Sequence, residues 1–159
     1  MPSNPAQGAR LRRLWNRLQP IPGGPWLFSR LLGLMVPYTG ALGATIVALE
    51  PGYCRAVLRE RRGVRNHLGS VHAVALVNLG EVVSGLALLV GLPSRVRGIV
   101  THLEVDYLKK ARGHLTAEAR CTLPEVEEPT EYVVESAIRD ADLDEVARIR
   151  VRWLLDHKP

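Results

Sequence analysis

Asn66-His67-Leu68-Gly69-Ser70-Val71-His72-Ala73-Val74-Ala75-Leu76-Val77-Asn78-Leu79-Gly80-Glu81 is the stretch on which the reading of this chain turns. It sets Asn, Gly-Ser and His at the mouth of a helix, then a single carboxylate inside that helix. The neighbours of Glu81 are almost all apolar: Leu76, Val77, Leu79, Val82, Val83, Leu86, Ala87, Leu88, Leu89 and Val90. A helix of that composition is expected to be buried on most sides. A carboxylate there either shifts its pKa or finds polar company, the usual setting of a general base or nucleophile. The helix is expected from Ser70, as its N-cap, to about Val90, with Gly91, Pro93 and Ser94 ending it.

Outward from this helix the chain reads as strands. Ala44 to Leu49 and Tyr53 to Glu60 form a hairpin around Glu50-Pro51-Gly52. After the helix, Gly98 to Leu108 alternates, with Leu103, Val105 and Tyr107 on one side and His102, Glu104 and Asp106 on the other. Leu115, Ala117, Ala119, Cys121 and Leu123 are expected to point inward from the next strand, and Tyr132 to Arg139 and Val146 to Leu154 follow. One apolar helix among five to six strands must bury itself by having the sheet wrap around it. Upstream, Ala9 to Gln19 reads as a basic amphipathic helix and Trp26 to Met35 as a second, closed by Pro37. The expected division is a helical segment, 1–39, and an α+β domain, 40–159.

The chain has 159 residues, 47% hydrophobic and 23% charged, ordinary values for one globular domain. No apolar run reaches the roughly 18 residues of a membrane span. The net charge of +5 is concentrated upstream: Arg10, Arg12, Arg13, Arg17 and Arg30 precede the first acid, Glu50, leaving 16 basic and 16 acidic residues after them. A neutral domain with few aromatic residues argues against a nucleic-acid partner. The N-terminal helices are expected to pack on the sheet or cover a pocket, with membrane-surface contact the lesser alternative. Cys54 and Cys121 have no metal or redox spacing and fit reduced thiols in a cytoplasmic protein. No metal site is expected.

Asn66, Gly69, Ser70, His72, Leu79 and Glu81 fall, without a gap, in a pattern that resembles the hotdog-fold acyl-CoA thioesterases. That pattern is Asn, Gly-Thr or Gly-Ser, His-Gly-Gly, and an Asp or Glu nine residues past the His. The nearest flavours are the phenylacetyl-CoA-pathway type and the YiiD-like thioesterases. Ile99 to Ala111 resembles the family's strand after the helix, and Glu50-Pro51-Gly52 its first turn; the likeness runs from about Gly43 to Trp153. The resemblance implies a hotdog fold, an antiparallel sheet around one long central helix. Two departures stand out: Ala73-Val74 replaces Gly-Gly, and Glu81 replaces Asp. Val74 is expected to narrow the approach of a thioester to the backbone.

In such an enzyme Glu81 would act as base or nucleophile. The N–H of Ala73, with that of Val74 as a second donor, would hold the oxyanion at the helix N-terminus. Asn66 would position water or the thioester oxygen, and His72 would fix the loop or touch substrate. Asn78 and Ser84, three residues either side of Glu81, are candidates for its polar support. Lys109, Lys110 and Arg112 are the first candidates for coenzyme A phosphates, and the row Arg148, Arg150, Arg152 the second, against the alternative of a solvated charge row. Coenzyme A enters only as part of the substrate, with no other cofactor. His72 and Glu81 lie about 180° apart around the helix and about 13.5 Å along it, so they cannot meet in one subunit. A homodimer or dimer of dimers, with sites shared between chains, is the expected assembly. A hotdog dehydratase is disfavoured because His-Phe-Pro and Asp-x-x-x-x-His patterns are absent. The remaining alternatives are a non-catalytic acyl-CoA or lipid-binding module, and a purely structural dimer.

Overall fold

The computed structural model describes residues 7–157; the first six residues of the expected segment 1–39 and the last two of 40–159 lie outside the described residues. Three helices come first: α1 (Gln7–Leu18), α2 (Gly24–Met35) and α3 (Pro37–Leu42). α1 buries Leu11 and Trp15, and the Trp15 ring meets Phe28 of α2 edge-on, with centroids 5.1 Å apart. α3 departs from expectation. Pro37 does not only stop α2; it occupies the first position of the next helix, where its missing N–H costs nothing.

The strands β1 (Thr45–Glu50), β2 (Tyr53–Arg59), β3 (Val96–Tyr107), β4 (His114–Arg120), β5 (Thr130–Arg139) and β6 (Glu145–His157) form one antiparallel sheet in the order β1-β2-β4-β5-β6-β3. The central helix α4 (Ala73–Leu89) connects β2 to β3 and lies in the curve of the sheet, the hotdog arrangement. Leu76, Leu79, Val83, Ala87 and Leu88 of α4 share one core with Leu115, Ala117, Ile138, Ile149 and Val151 of the sheet, and with Leu11, Trp15, Phe28 and Leu32 of α1 and α2. The β1–β2 turn needs its glycine: Gly52 has φ 82°, and a Cβ there would fall 2.5 Å from the Cys121 carbonyl oxygen. Its N–H donates to Ala87 O at 2.9 Å and its carbonyl accepts from Cys121 N at 2.9 Å, tying turn, helix and sheet together. β4 ends at Arg120, and beyond it Cys121 is half-buried and Leu123 39% exposed instead of both facing inward.

α4 lies so close to the sheet that Gly80 is a fixed requirement. An added Cβ would sit 2.7 Å from Ile149 Cδ1, and Ser136 Oγ donates to Gly80 O at 3.1 Å. Gly80→Val is expected to cost about 3 kcal/mol by overpacking. In thermal unfolding the midpoint should fall by about 6–12 °C. Gly80→Ala should cost less, because alanine recovers about 1 kcal/mol of helix propensity.

The sheet's two edges differ. β1 is short, has an irregularity between Ile46 and Ala48, and is capped by the Ser29 hydroxyl of α2, which accepts from Ile46 N at 2.8 Å. β3 runs for 12 residues with β6 on one side only, and Ile99, Leu103, Tyr107 and the following Leu108 are exposed.

Candidate active site

The mouth of α4 is built by backbone bonds to two neighbouring segments. Val71 N donates to Ala111 O at 2.9 Å and His72 N to Val64 O at 2.8 Å, while Arg65 bridges to Val71. These bonds hold 71–72 extended, so the helix starts at Ala73 with His72, not Ser70, as its N-cap. His72 Nδ1 accepts from Val74 N at 3.2 Å, which requires the ring proton on Nε2. Ala75 N and Leu76 N donate to His72 O at 2.9 and 3.2 Å. Of the first four N–H groups of α4, only that of Ala73 lacks an acceptor among the described residues. The Val74 N–H, expected as a second donor, is consumed by the cap. The Val74 side chain is 52% exposed at the surface of the protomer.

Asn66 organises the loop ahead of the helix. Its Oδ1 accepts from Leu68 N (3.0 Å), Ser70 N (3.2 Å) and Ser70 Oγ (3.2 Å), and the Nδ2 amide is the end left to donate outward. Ser70 therefore serves the loop, not the helix. Asn66→Ala is expected to lower stability by about 1–2 kcal/mol, since three donors lose one acceptor. Asn66→Asp keeps the acceptor and should melt within a degree or two of wild type. Thermal unfolding of the pair separates the loop role of the oxygen from any role of the amide.

Two turns along, Glu81 is half-buried, and desolvation pushes its carboxyl above the ordinary carboxylate range. Among the described residues no hydrogen bond or ion pair reaches that carboxylate. The expected support does not touch it: Asn78 Oδ1 accepts from Thr39 Oγ1 of α3 at 3.3 Å, and Ser84 Oγ donates to the Glu81 carbonyl at 2.8 Å. Glu81 lines a cavity whose other charged wall residue, Arg97, pairs with Asp156 at 3.6 Å.

Basic side chains ring the helix mouth. Lys110 and Arg112, both exposed, flank Ala111, whose carbonyl holds Val71. Lys109 is not available in the same way: its ammonium bonds Asp140 and Asp144, each at 2.7 Å. Sequence reasoning passed over Arg62 and Arg65, which stand either side of Val64, the acceptor of His72 N. The run Arg59-Glu60-Arg61-Arg62-Gly63-Val64-Arg65 was the signal that pointed to them. Arg65 pairs with Glu60, which also accepts from Gly113 N. Arg148, Arg150 and Arg152 form a ladder of exposed ion pairs with Glu131, Glu135, Glu145, Glu104 and Asp106, the solvated charge row rather than a phosphate site. Among the described residues no three His, Cys, Asp or Glu side chains cluster to hold a metal.

Comparison with known proteins places this geometry. The sequence model of a family described as a domain of unknown function, DUF4442, matches residues 24–155. No curated protein matches the sequence. Among solved structures, a structural-genomics protein, APC5556, superposes with TM-score 0.82 at 29% identity, covering 94% of this chain and 100% of its own. A Pseudomonas aeruginosa protein, PA5026, described as a probable thioesterase, superposes with TM-score 0.75 at 26% identity, covering 87% of this chain and 97% of its own. The smu.793 protein of Streptococcus mutans bound to acetyl-CoA shares the fold, with TM-score 0.63 at 20% identity over 72% of this chain and 90% of its own. The fold is that of the hotdog thioesterase superfamily.

Proposed function

We propose that this chain, which belongs to the DUF4442 family, is an acyl-CoA thioesterase. The observation that carries the reading is the pairing, on one helix, of a free backbone donor at the mouth with a desolvated, unpartnered carboxylate farther along. The Ala73 N–H, at the positive end of α4, is suited to the oxyanion that forms when the thioester carbonyl is attacked. Glu81, either as nucleophile or as base toward water, supplies the attack, and the thiolate of coenzyme A leaves. Asn66 Nδ2 is the group suited to orient the thioester or the water. Lys110 and Arg112, joined by Arg62, suit the phosphates of coenzyme A, which enters as substrate with no further cofactor. The likeness to PA5026 supports the same class of reaction.

The two halves of this machinery come from different chains in our reading. Ala73 and Glu81 are eight residues apart, about 12 Å along the helix and about 80° around it. The open β3 edge, with Leu103 and Tyr107 uncovered, is suited to pair with its own copy across a two-fold. Such pairing sets two α4 helices antiparallel and brings each Glu81 toward the other's helix mouth. Among the described residues no helix is long and apolar enough to cross a membrane. Cys54 and Cys121 are free thiols, which suits the cytoplasm.

The test is thiol release from a panel of acyl-CoAs as a function of pH. Glu81 must be ionised to act, and burial raises its pKa, so kcat should fall on the acid side with a midpoint above the ordinary glutamate value of about 4.3. Saturable acyl-CoA binding with no thiol release at any pH would instead make the chain a non-catalytic acyl-CoA-binding protein.

A further inference from the structure

Glu81 opens onto a cavity of about 260 Å³ bordered on one side by the N-terminal helices. Its walls are mainly aliphatic, with Leu11 from α1, Leu32 from α2, Val82, Leu86 and Leu89 from α4, and Val96 from β3; the Trp153 ring and Thr39 also line it. The seat of α1 is specific. A Cβ on Gly8 would fall 2.0 Å from Leu89 O, so α1 packs backbone against backbone on the C-terminal end of α4. The cavity thus lies between the N-terminal helices and the sheet-and-helix unit, and its one carboxylate is Glu81.

Resting on the thioesterase reading, we propose that this cavity holds the acyl chain of the substrate, and that it selects a straight chain of about eight to ten carbons. The carbonyl must lie at Glu81 for attack, so the tail runs into the space that Glu81 borders. The Leu and Val walls offer no hydrogen bonds, and along them a ligand gains only by shedding apolar surface; Trp153, whose buried Nε1 has no partner among the described residues, is in the same lining. Size sets the length: a cavity of about 150 Å³ lined by similar side chains holds the six carbons of benzene, so 260 Å³ has room for about ten. Phenylacetyl, with eight carbons, would fill less of this volume than decanoyl. Val82 and Leu32 also border a second pocket of about 280 Å³ between α2, α3 and β1. They form the partition that limits chain length.

The experiment measures kcat/KM for straight-chain acyl-CoAs from two to sixteen carbons, and for phenylacetyl-CoA, on the full chain. The Kd values of the same ligands are measured by calorimetry on Glu81→Gln, whose turnover is expected to be about a thousandfold slower. Both should improve about fourfold for each added methylene, the factor for burying one CH2, then level or fall beyond about ten carbons. Val82→Phe should move the optimum to shorter chains and Leu89→Ala to longer ones. These shifts are read as the position of the optimum, not the overall rate. A profile flat beyond four carbons, or phenylacetyl bound and hydrolysed better than decanoyl, overturns the proposal. If no thiol is released from any ligand the thioesterase reading fails, and the slope of Kd with chain length still decides what the cavity holds.

Discussion

Glu81→Gln should reduce thiol release by about a thousandfold, on the order of 4 kcal/mol of transition-state stabilisation, while making the protein harder to melt. The two effects have one cause. The fold takes a carboxylate partly out of water and supplies no hydrogen bond or counter-charge among the described residues; Arg97, in the same cavity wall, is paired with Asp156. The carboxyl therefore holds its proton more tightly in the folded than in the unfolded chain. Stability from this group is present below the unfolded pKa and lost as pH rises through the higher folded value. At neutral pH the ionised side chain is thus a liability that glutamine removes. A rise in melting midpoint of about 2–4 °C, the equivalent of about 1 kcal/mol for a chain this size, is expected at pH 7. The gain should vanish toward pH 4, where wild type is also neutral at this position. A structural carboxylate would behave in the opposite way, since its loss would cost stability. Loss of activity together with a lower melting point would mean that the carboxylate gains a stabilising partner in the assembled protein.

The parts of the fold that were legible from sequence are those set by local period. The apolar run of α4 and the inward Leu115, Ala117 and Ala119 of β4 appear where the pattern puts them, because burial on one face imposes that pattern directly. What escaped depends on contacts between distant residues. The start of α4 is set by Val64 and Ala111, whose bonds to His72 and Val71 delay the helix past Ser70. Lys109 read as a free cation because its partners, Asp140 and Asp144, lie 31 and 35 residues away. Leu103 and Tyr107 were placed on the apolar side of β3, yet they are 43% and 50% exposed. Among the described residues of one protomer nothing covers Leu103 and Tyr107, so a pattern that predicts burial is met by exposure. The mismatch is itself an argument for a second chain.

That argument has a sharp test in mixed dimers. Ala73→Pro should remove the oxyanion donor and little else. Proline is tolerated at the first helical position, where its N–H would have no intrahelical partner. A proline also forces the preceding residue to be extended, and His72 already has φ −64° and ψ 139°. The helix should therefore form as in wild type, with thiol release reduced by about 10²–10³-fold. Glu81→Gln and Ala73→Pro dimers, each nearly inactive, are then unfolded together and refolded as an equal mixture. Random pairing makes half the dimers hybrid. If a site takes Ala73 from one chain and Glu81 from the other, each hybrid has one site with both defects and one with none. Activity should recover to about a quarter of wild type. If both groups served the same site within one chain, every site in the mixture would carry a defect and no activity would return. Recovery near a quarter, set beside parents below about one per cent, would establish that one protomer delivers its Glu81 to the helix mouth of another.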